Sequence, residues 1–230
     1  MAIYTIADLH LSLGVSKPMD VFEGWENYVE RLTSNWTKTV GEEDSVIIPG
    51  DISWAMNFSE LGNDFAYLHG LPGTKYLLKG NHDYWWNTRT KVEQFISENS
   101  WGSIKIIQND SVKIDDIAVC GTRGWVFSET PTAEDAKVFN RELQRLRLSL
   151  DSAVKQNAEE IIVFLHYPPI YSNFRADQLI DILEEYGIKR CYYGHVHGHS
   201  IPFSFTGTYR NIAFRLVSAD NLQFKPLYIE

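Results

Sequence analysis

The chain has 230 residues, of which 44% are apolar, and it carries a formal net charge of −9 at neutral pH. This length and apolar content are typical of a globular α/β protein, and we expect residues 1–230 to form one domain. Broad binding to a nucleic-acid backbone is disfavoured, because such binding requires clustered Lys and Arg.

The two cysteines and the N-terminus exclude further classes. Cys120 and Cys191 lie in apolar runs without CxxC spacing, which indicates two buried thiols rather than a thiolate zinc site. The N-terminus has no basic segment followed by an apolar core, and no run approaches about 18 apolar residues. We therefore expect a cytoplasmic protein that has no membrane span.

Strands and helices alternate in the first part of the chain. An apolar run over residues 3–7 predicts a strand, and apolar residues spaced by three or four predict a helix over about 21–40. A second strand at 45–49 precedes a helix that Ser59 is expected to cap and that ends near residue 69.

Short elements follow. An apolar run over 76–78 predicts the third strand, and a helix is predicted over about 88–99. Short strands are predicted near 104–107, 111–114 and 117–120, because Asn-Asp and Asp-Asp turns separate apolar runs.

The longest predicted helix begins near Thr132, where Asp135 completes a capping-box pattern. Four charged residues of this helix are expected to form a solvated face: Arg141, Glu142, Arg145 and Arg147. The chain continues with predicted strands at 161–165 and 191–193, a helix at about 176–186, and two last strands near 212–217 and 223–228.

Five of the predicted strands end at side chains that commonly bind metal ions. The segments that follow them are Asp8-Leu9-His10, Gly50-Asp51, Gly80-Asn81-His82-Asp83, His166, and Gly194-His195-Val196-His197. In open α/β sheets, chemistry gathers past the carboxyl ends of the strands. Asp8 and His10 are two residues apart and would share one face of a regular strand. Because packing does not explain five histidines that each close an apolar run, the sequence predicts a metal site.

These five segments, in this order, resemble those of the calcineurin-like metallophosphoesterase family and span most of the chain. The resemblance implies an α/β fold of two packed mixed β-sheets flanked by helices, with two metal ions at one edge. It implies seven metal ligands: Asp8, His10 and His197 for one ion, Asn81, His166 and His195 for the other, and Asp51 as a bridge. By the same resemblance, His82 would contact the phosphate and protonate the leaving group, and Asp83 would orient His82.

The ligand chemistry is consistent with this resemblance. Mixed nitrogen and oxygen ligands suit Mn, Fe, Zn, Ni or Co better than Mg or Ca. Two such ions can clamp a phosphoryl group, and a hydroxide held between them would be the nucleophile. Because two carboxylates leave the pair of ions positive, a phosphate ester is attracted despite the acidic chain. The sequence therefore predicts a phosphoric ester hydrolase with two divalent metal ions and a small phosphate-ester substrate.

Candidate substrate contacts lie near these ligands in sequence. Arg123, between two glycines, is either an additional phosphate contact or a surface arginine. Trp54, Tyr84, Trp85, Trp86 and Trp125 either pack in the core or form a wall that stacks on a ring. The aromatic residues slightly favour a nucleotide-type ester, and the choice between monoester and diester stays open.

Two other functions remain as alternatives. Some members of this fold are non-catalytic interaction surfaces, but those are expected to have lost ligands, whereas this chain has the full set. A nuclease would require a basic groove, which the net charge of −9 does not suggest. Protein Ser/Thr phosphatases have Glu at the position of Asp83, and purple acid phosphatases have Tyr at the position of Trp54, so their substrates do not carry over.

Overall fold

The structure is a computed structural model, and it describes residues 1–125 and 132–230. Its α-helices within these ranges are α1 (Tyr28–Thr39), α2 (Phe58–Gly70), α3 (Arg89–Glu98), α4 (Ala133–Val154) and α5 (Asp177–Glu185). Its strands within the same ranges are β1 (Ile3–Thr5), β2 (Ser45–Pro49), β3 (Thr74–Leu78), β4 (Ile104–Ile106), β5 (Ser111–Ile114), β6 (Ile117–Thr122), β7 (Glu160–Leu165), β8 (Ile170–Tyr171), β9 (Phe174–Arg175), β10 (Arg190–Tyr193), β11 (Gly207–Tyr209), β12 (Ile212–Leu216) and β13 (Leu227–Tyr228).

The strands form two large mixed sheets, which confirms the predicted fold. The first has the order β13-β1-β2-β3-β4, and only β13 pairs antiparallel. The second has the order β11-β12-β10-β7-β6-β5, with parallel pairs in its centre and antiparallel β5 and β11 at its edges. A short hairpin, β8–β9, stands apart.

Each sheet is covered on both faces, because one face packs on the other sheet and the opposite face packs on helices. In β2, Ile47 points into a shared core with Leu78 and Phe164, whereas Val46 and Ile48 point toward the helices. Helices α1, α2 and α3 cover the first sheet, and α4 and α5 cover the second. Burial on both faces explains why the strands are continuous apolar runs. None of the helices within the described ranges is long and apolar enough to cross a membrane.

The first predicted helix begins later than its apolar stripe suggested. α1 starts at Tyr28, and Asn27 before it has a left-handed backbone with φ of 50°. Phe22 and Trp25 therefore lie in a turn segment, where Phe22 is 55% exposed and Trp25 is buried. The apolar spacing of three or four residues continues before the start of the helix, because a compact loop can also bury residues at short intervals.

Three further expectations need correction. The side chain that caps α2 is Asn57, which accepts hydrogen bonds from the backbone N–H of Ser59 and Glu60. Glu142 of α4 is buried rather than solvated, and it accepts hydrogen bonds from Thr122 and Arg145. The last predicted strand is reduced to β13, whereas β11 was not predicted. The capping box of Thr132 and Asp135 is confirmed.

Alanine replacement should show whether Asn57 or Ser59, the residue expected from the sequence, caps α2. We expect Asn57→Ala to lower the free energy of unfolding by about 1 kcal/mol, because two backbone donors at the helix start lose their acceptor. Ser59→Ala is the matched control and should cost less, since its hydroxyl only donates to Asn57. Urea unfolding of both variants measures the difference. A larger loss for Ser59→Ala would show that the cap is assigned to the wrong residue.

Candidate metal centre

The carboxyl ends of strands from both sheets meet at one edge of the molecule, as the sequence predicted. In the first sheet, the backbone N–H of Asp8, after β1, donates to the carbonyl of Gly50, after β2, at 2.9 Å. Between the sheets, the backbone N–H of His195 donates to both carboxylate oxygens of Asp8 at 2.9 and 3.0 Å. These bonds fix segments far apart in sequence around one point.

The candidate ligands form two clusters. Ligand atoms of Asp8, His10 and His197 lie within 4.8 Å of one another, and so do those of Asp51, His166 and His195. The ring nitrogens Nε2 of His10 and His197 are 3.3 Å apart. Four of these six residues are buried, and His195 and His197 are half-buried. Buried nitrogen and oxygen donors that converge in this way fit a divalent transition metal.

Asp51 belongs to the second cluster and also faces the first. Its Oδ2 is 3.7 Å from Nε2 of His10, and its Oδ1 is 3.5 Å from Nε2 of His166. Each carboxylate oxygen therefore faces a histidine of a different cluster. Asn81, the candidate neutral ligand, has its Oδ1 at 2.6 Å from Nε2 of His166, which places it with the second cluster.

Left-handed backbone brings four of these residues into place. Asp8, His10, Asp51 and His195 have φ values of 59°, 46°, 52° and 73°. Such conformations are uncommon outside glycine, although Asp, Asn and His are enriched among the exceptions. Asp8 and His10 do contribute to one cluster, but the expectation that they share a face of a strand is wrong. β1 ends at Thr5, and the two side chains reach one cluster by turning of the chain.

Burial lowers the pKa of the ligand histidines in the second cluster. The pKa of His166 falls to about 3 and that of His195 to about 4, and the pKa of buried His10 is also well below its ordinary value. Desolvation disfavours the charged imidazolium at each position. These three side chains are neutral at pH 7, which is the form that binds a metal ion.

Two other groups hold protons at pH 7. Burial, together with the charges of Asp8 and Asp83, raises the pKa of Asp51 to about 9. Burial opposes a charged His197, but the carboxylates of Asp8 and Asp220 outweigh it and raise the pKa of His197 to about 10.

Asp220 was missed by the sequence analysis. Its carboxylate accepts from Nδ1 of His197 at 3.0 Å and from the backbone N–H of Gly198 at 2.8 Å. It thereby orients His197 so that Nε2 faces Asp8 and His10. Asp220 follows shortly after the predicted strand near 212–217, which corresponds to β12. Nothing in the sequence indicated that this strand ends near the candidate ligands.

Asp83 does not orient His82 within the part of the chain that the structure describes. Its carboxylate accepts from the backbone N–H of Gly80, Asp51 and Ile52 at 2.8–2.9 Å. Weaker bonds come from Ser53 and from the indole of Trp85. The proposed orienting role is corrected, since Asp83 instead joins the loops that follow β2 and β3.

His82 lies beside both clusters and is not a member of either. Its ring centroid is 4.4 Å from that of Trp54 and 5.7 Å from that of His10. Its Nδ1 is buried without a partner among the described residues. Burial and the charge of Lys17 lower the pKa of His82. Lys17 was also missed, because nothing in its loop sequence indicated that it reaches the site.

The predicted aromatic wall forms in part, because Trp54 lies in the lining of one groove with His10 and His82, whereas Trp85 does not. Trp85 is buried in the core, and the half-buried Trp54 stacks on His10 with a centroid distance of 4.9 Å. Lys17 Nζ lies 3.1 Å from the Trp54 ring centroid, so this ring already has contacts of its own. Tyr84 is 54% exposed, with its ring 6.0 Å from that of His82.

A groove of about 820 Å³ opens beside the first cluster. Its lining includes His10, His82 and His197 from the site, together with Phe22 and Trp25 from the segment before α1. The ring surface next to the candidate ligands is therefore supplied largely by residues that the sequence analysis assigned to a helix. Arg123 does not line this groove, and its side chain lies in a separate pocket.

Comparison with known proteins shows the family of this chain. A family model described as calcineurin-like phosphoesterase matches residues 1–199. No curated protein matches the chain. Among solved structures, the protein of unknown function AQ665 from Aquifex aeolicus is 15% identical with a TM-score of 0.52, over 99% of this chain and 95% of that chain.

A second similar structure is the phosphopantetheinyl hydrolase PptH from Mycobacterium tuberculosis. It is 13% identical with a TM-score of 0.57, and the alignment covers 99% of this chain and 95% of that chain. At such identities the likeness of both structures shows the fold alone.

The affinity of the centre for divalent metal should rise with pH until the pH exceeds the pKa values of Asp51 and His197, about 9 and about 10. Asp51 and His197 have raised pKa values, so both are protonated at pH 7 and must lose a proton to bind an ion. Calorimetric titration at pH 7 in two buffers of different ionisation enthalpy should reveal about two protons released per loaded chain. Asp220→Asn should reduce this release, because His197 loses a carboxylate that favours its charged form. Metal affinity that does not change with pH would contradict the assignment.

Proposed function

Because the chain belongs to the calcineurin-like phosphoesterase family, we propose that it is a hydrolase that uses two divalent metal ions on a small phosphate ester. The first ion would be held by Asp8, His10 and His197, and the second by Asn81, His166 and His195. Asp51 would bridge them. Mn, Fe, Zn, Ni or Co suits this mixture of nitrogen and oxygen ligands.

The observation that carries the proposal is the position of Asp51. Its two carboxylate oxygens face histidines of different clusters, at 3.7 and 3.5 Å. A carboxylate that served a single ion would not need an oxygen toward each cluster. Two divalent ions at such a site would polarise the phosphoryl oxygens and activate a water for in-line attack.

His82 is proposed as the group that contacts the phosphate and gives a proton to the leaving oxygen. It lines the groove beside His10 without belonging to a ligand cluster. Its backbone N–H donates to Asp51 Oδ1 at 2.8 Å, which ties its position to the bridging carboxylate. Lys17, whose ammonium lies over Trp54, adds positive charge at the same side of the groove.

The organic part of the substrate would occupy the groove beside the first cluster. Its volume of about 820 Å³ is within the range of about 300–1,000 Å³ that is usual for small-molecule sites. Apolar and aromatic surface from Val21, Phe22 and Trp25 supports a substrate with a flat ring. A nucleotide-type phosphodiester or phosphomonoester is the proposed substrate class.

The function is tested by a screen of monoester, diester and cyclic-nucleotide substrates against Mn, Ni, Zn and Mg. We expect turnover with at least one transition metal, and metal removal by a chelator should abolish it. A protein that holds both ions and hydrolyses none of these substrates would instead be an interaction protein of the same fold.

Metal content should follow from the bridging position of Asp51. The loaded wild-type protein should contain about two ions per chain. Asp51→Asn should weaken both sites, because the shared charge is lost, whereas His10→Asn should weaken mainly one. Elemental analysis after desalting measures the content of each variant. A fully loaded wild-type chain with a single ion would refute the two-metal assignment.

Loss of His82 should affect turnover and leave both ions bound. Without the proton donor, His82→Ala should be slower by about 10²–10⁴-fold. The loss should be larger for a substrate with an alkoxide leaving group than for a nitrophenyl ester, whose leaving group needs no proton.

The control for this variant is His69→Ala, since His69 is an exposed histidine at the end of α2. It should keep both the rate and the metal content. Release of an ion from His82→Ala would identify His82 as a ligand. Equal slowing of the two ester types would mean that His82 stabilises phosphoryl charge and does not donate a proton.

A further inference from the structure

A second, smaller pocket lies next to the candidate metal centre and contains none of its ligands. It has a volume of about 150 Å³. Charged side chains from three parts of the chain line it: Lys79 after β3, Arg123 after β6, and Glu142 and Arg145 of α4. Such a volume is too small for an organic ring system, for which sites of about 300 Å³ or more are usual.

The pocket has an excess of positive charge. Among the lining residues that the structure describes, Glu142 is the only carboxylate, and it is already engaged by Arg145 Nη1 at 2.6 Å and by the hydroxyl of Thr122. Arg123 Nη2 is 3.8 Å from the same carboxylate, which is a weak pairing. The Lys79 side chain makes no hydrogen bond or ion pair with the described residues; burial and the two arginines lower its pKa, whereas the carboxylates of Asp83 and Glu142 oppose this. Among the described lining residues, three cations therefore face one carboxylate, and the charge of Asp83 also reaches Lys79.

Donors in this pocket also lack acceptors. Arg123 Nε and Trp86 Nε1 are buried N–H groups without a partner among the described residues. Trp86 is only 7% exposed, so bulk water cannot serve its indole freely. Buried donors are rarely left unpaired, and ordered water would satisfy them without balancing the charge. An oxyanion would accept from these donors and offset the charge together.

The pocket borders the second cluster of candidate ligands. Lys79 is two residues from Asn81, so their Cα atoms are at most about 7 Å apart. The carbonyl of Arg123 accepts the backbone N–H of His166 at 3.2 Å and that of Tyr167 at 2.8 Å. The pocket and the second cluster are therefore built on neighbouring strand ends.

We propose that this pocket binds a second phosphate group of the substrate, held by Lys79, Arg123 and the indole N–H of Trp86. This inference rests on the proposed phosphoesterase function, and it narrows the substrate class to compounds with a phosphate besides the ester that is cleaved. A tetrahedral oxyanion offers acceptors in several directions, which matches three donors that come from the loop after β3 and the segment after β6.

The pocket can be tested without catalysis, by calorimetric titration of metal-stripped protein with inorganic phosphate. We expect one site, and binding weaker by tenfold or more in Lys79→Met and Arg123→Met, because each loses a charge-assisted hydrogen bond. Trp86→Phe keeps an aromatic side chain but removes the indole N–H and some ring volume, and it should weaken binding several-fold. Lys38→Met, at an exposed position of α1, is the matched charge control and should bind as the wild type. Thermal unfolding of each variant confirms that it is folded.

Asp51→Asn locates the bound phosphate, because this variant alters the metal centre and leaves the pocket intact. It should bind phosphate as the wild type does. Absence of phosphate binding to the wild-type protein would overturn the proposal, and so would equal binding by Lys79→Met or a changed affinity in Asp51→Asn.

Kinetics of the metal-loaded enzyme test the substrate class. Lys79→Met should raise KM for a nucleoside bisphosphate by tenfold or more, and that for the matching monophosphate by much less. Equal changes in both KM values would refute a role for the pocket in substrate choice. Failure of the pocket proposal can be distinguished from failure of the phosphoesterase proposal, because phosphate titration measures binding to the pocket even if the protein has no turnover. If the enzyme hydrolysed its substrate but did not bind phosphate in the titration, only the pocket proposal would fail and the phosphoesterase proposal would stand.

Discussion

The arrangement of the site depends on one buried carboxylate, that of Asp83. It receives backbone N–H groups from Gly80 after β3 and from Asp51 and Ile52 after β2. Burial raises the pKa of Asp83 to about 6, and these donors oppose that rise by stabilising the charged form. Two neighbouring loops are thereby closed around one anion. These bonds hold together the two loops that carry Asp51 and Asn81.

Close contact between backbone and ligands imposes a second constraint on the same edge. A Cβ atom at Gly80 would collide with the carboxylate of Asp51, and one at Gly194 would collide with that of Asp8. Gly80 directly precedes the candidate ligand Asn81 and packs against Asp51. Gly194 directly precedes the candidate ligand His195 and packs against Asp8. The absence of a side chain at Gly80 lets two neighbouring loops of the first sheet approach closely, and its absence at Gly194 does the same for the contact between the two sheets.

Much of this centre could be predicted because its ligands directly follow apolar runs, which are local signals. The two clusters contain six of the seven residues that the family resemblance implied as ligands, and the seventh, Asn81, lies beside His166. Contacts between distant segments left no such signal. The bond of Asp220 to His197 and the approach of Lys17 to Trp54 depend on folding of loops whose sequences resemble ordinary turns. The true role of Asp83 was hidden for the same reason, since its partners include backbone groups some 30 residues away.

The left-handed backbone of four candidate ligands changes how their replacement must be interpreted. Asp8, His10, Asp51 and His195 combine a ligand atom with a residue type that tolerates positive φ. Alanine at these positions would remove the ligand and also add backbone strain of about 1 kcal/mol or more, which the whole fold would bear. An alanine scan would thus mix loss of metal affinity with loss of stability. Asparagine tolerates this backbone conformation. The difference in free energy of unfolding between the metal-free Asn and Ala variants at one position therefore measures the strain that alanine adds.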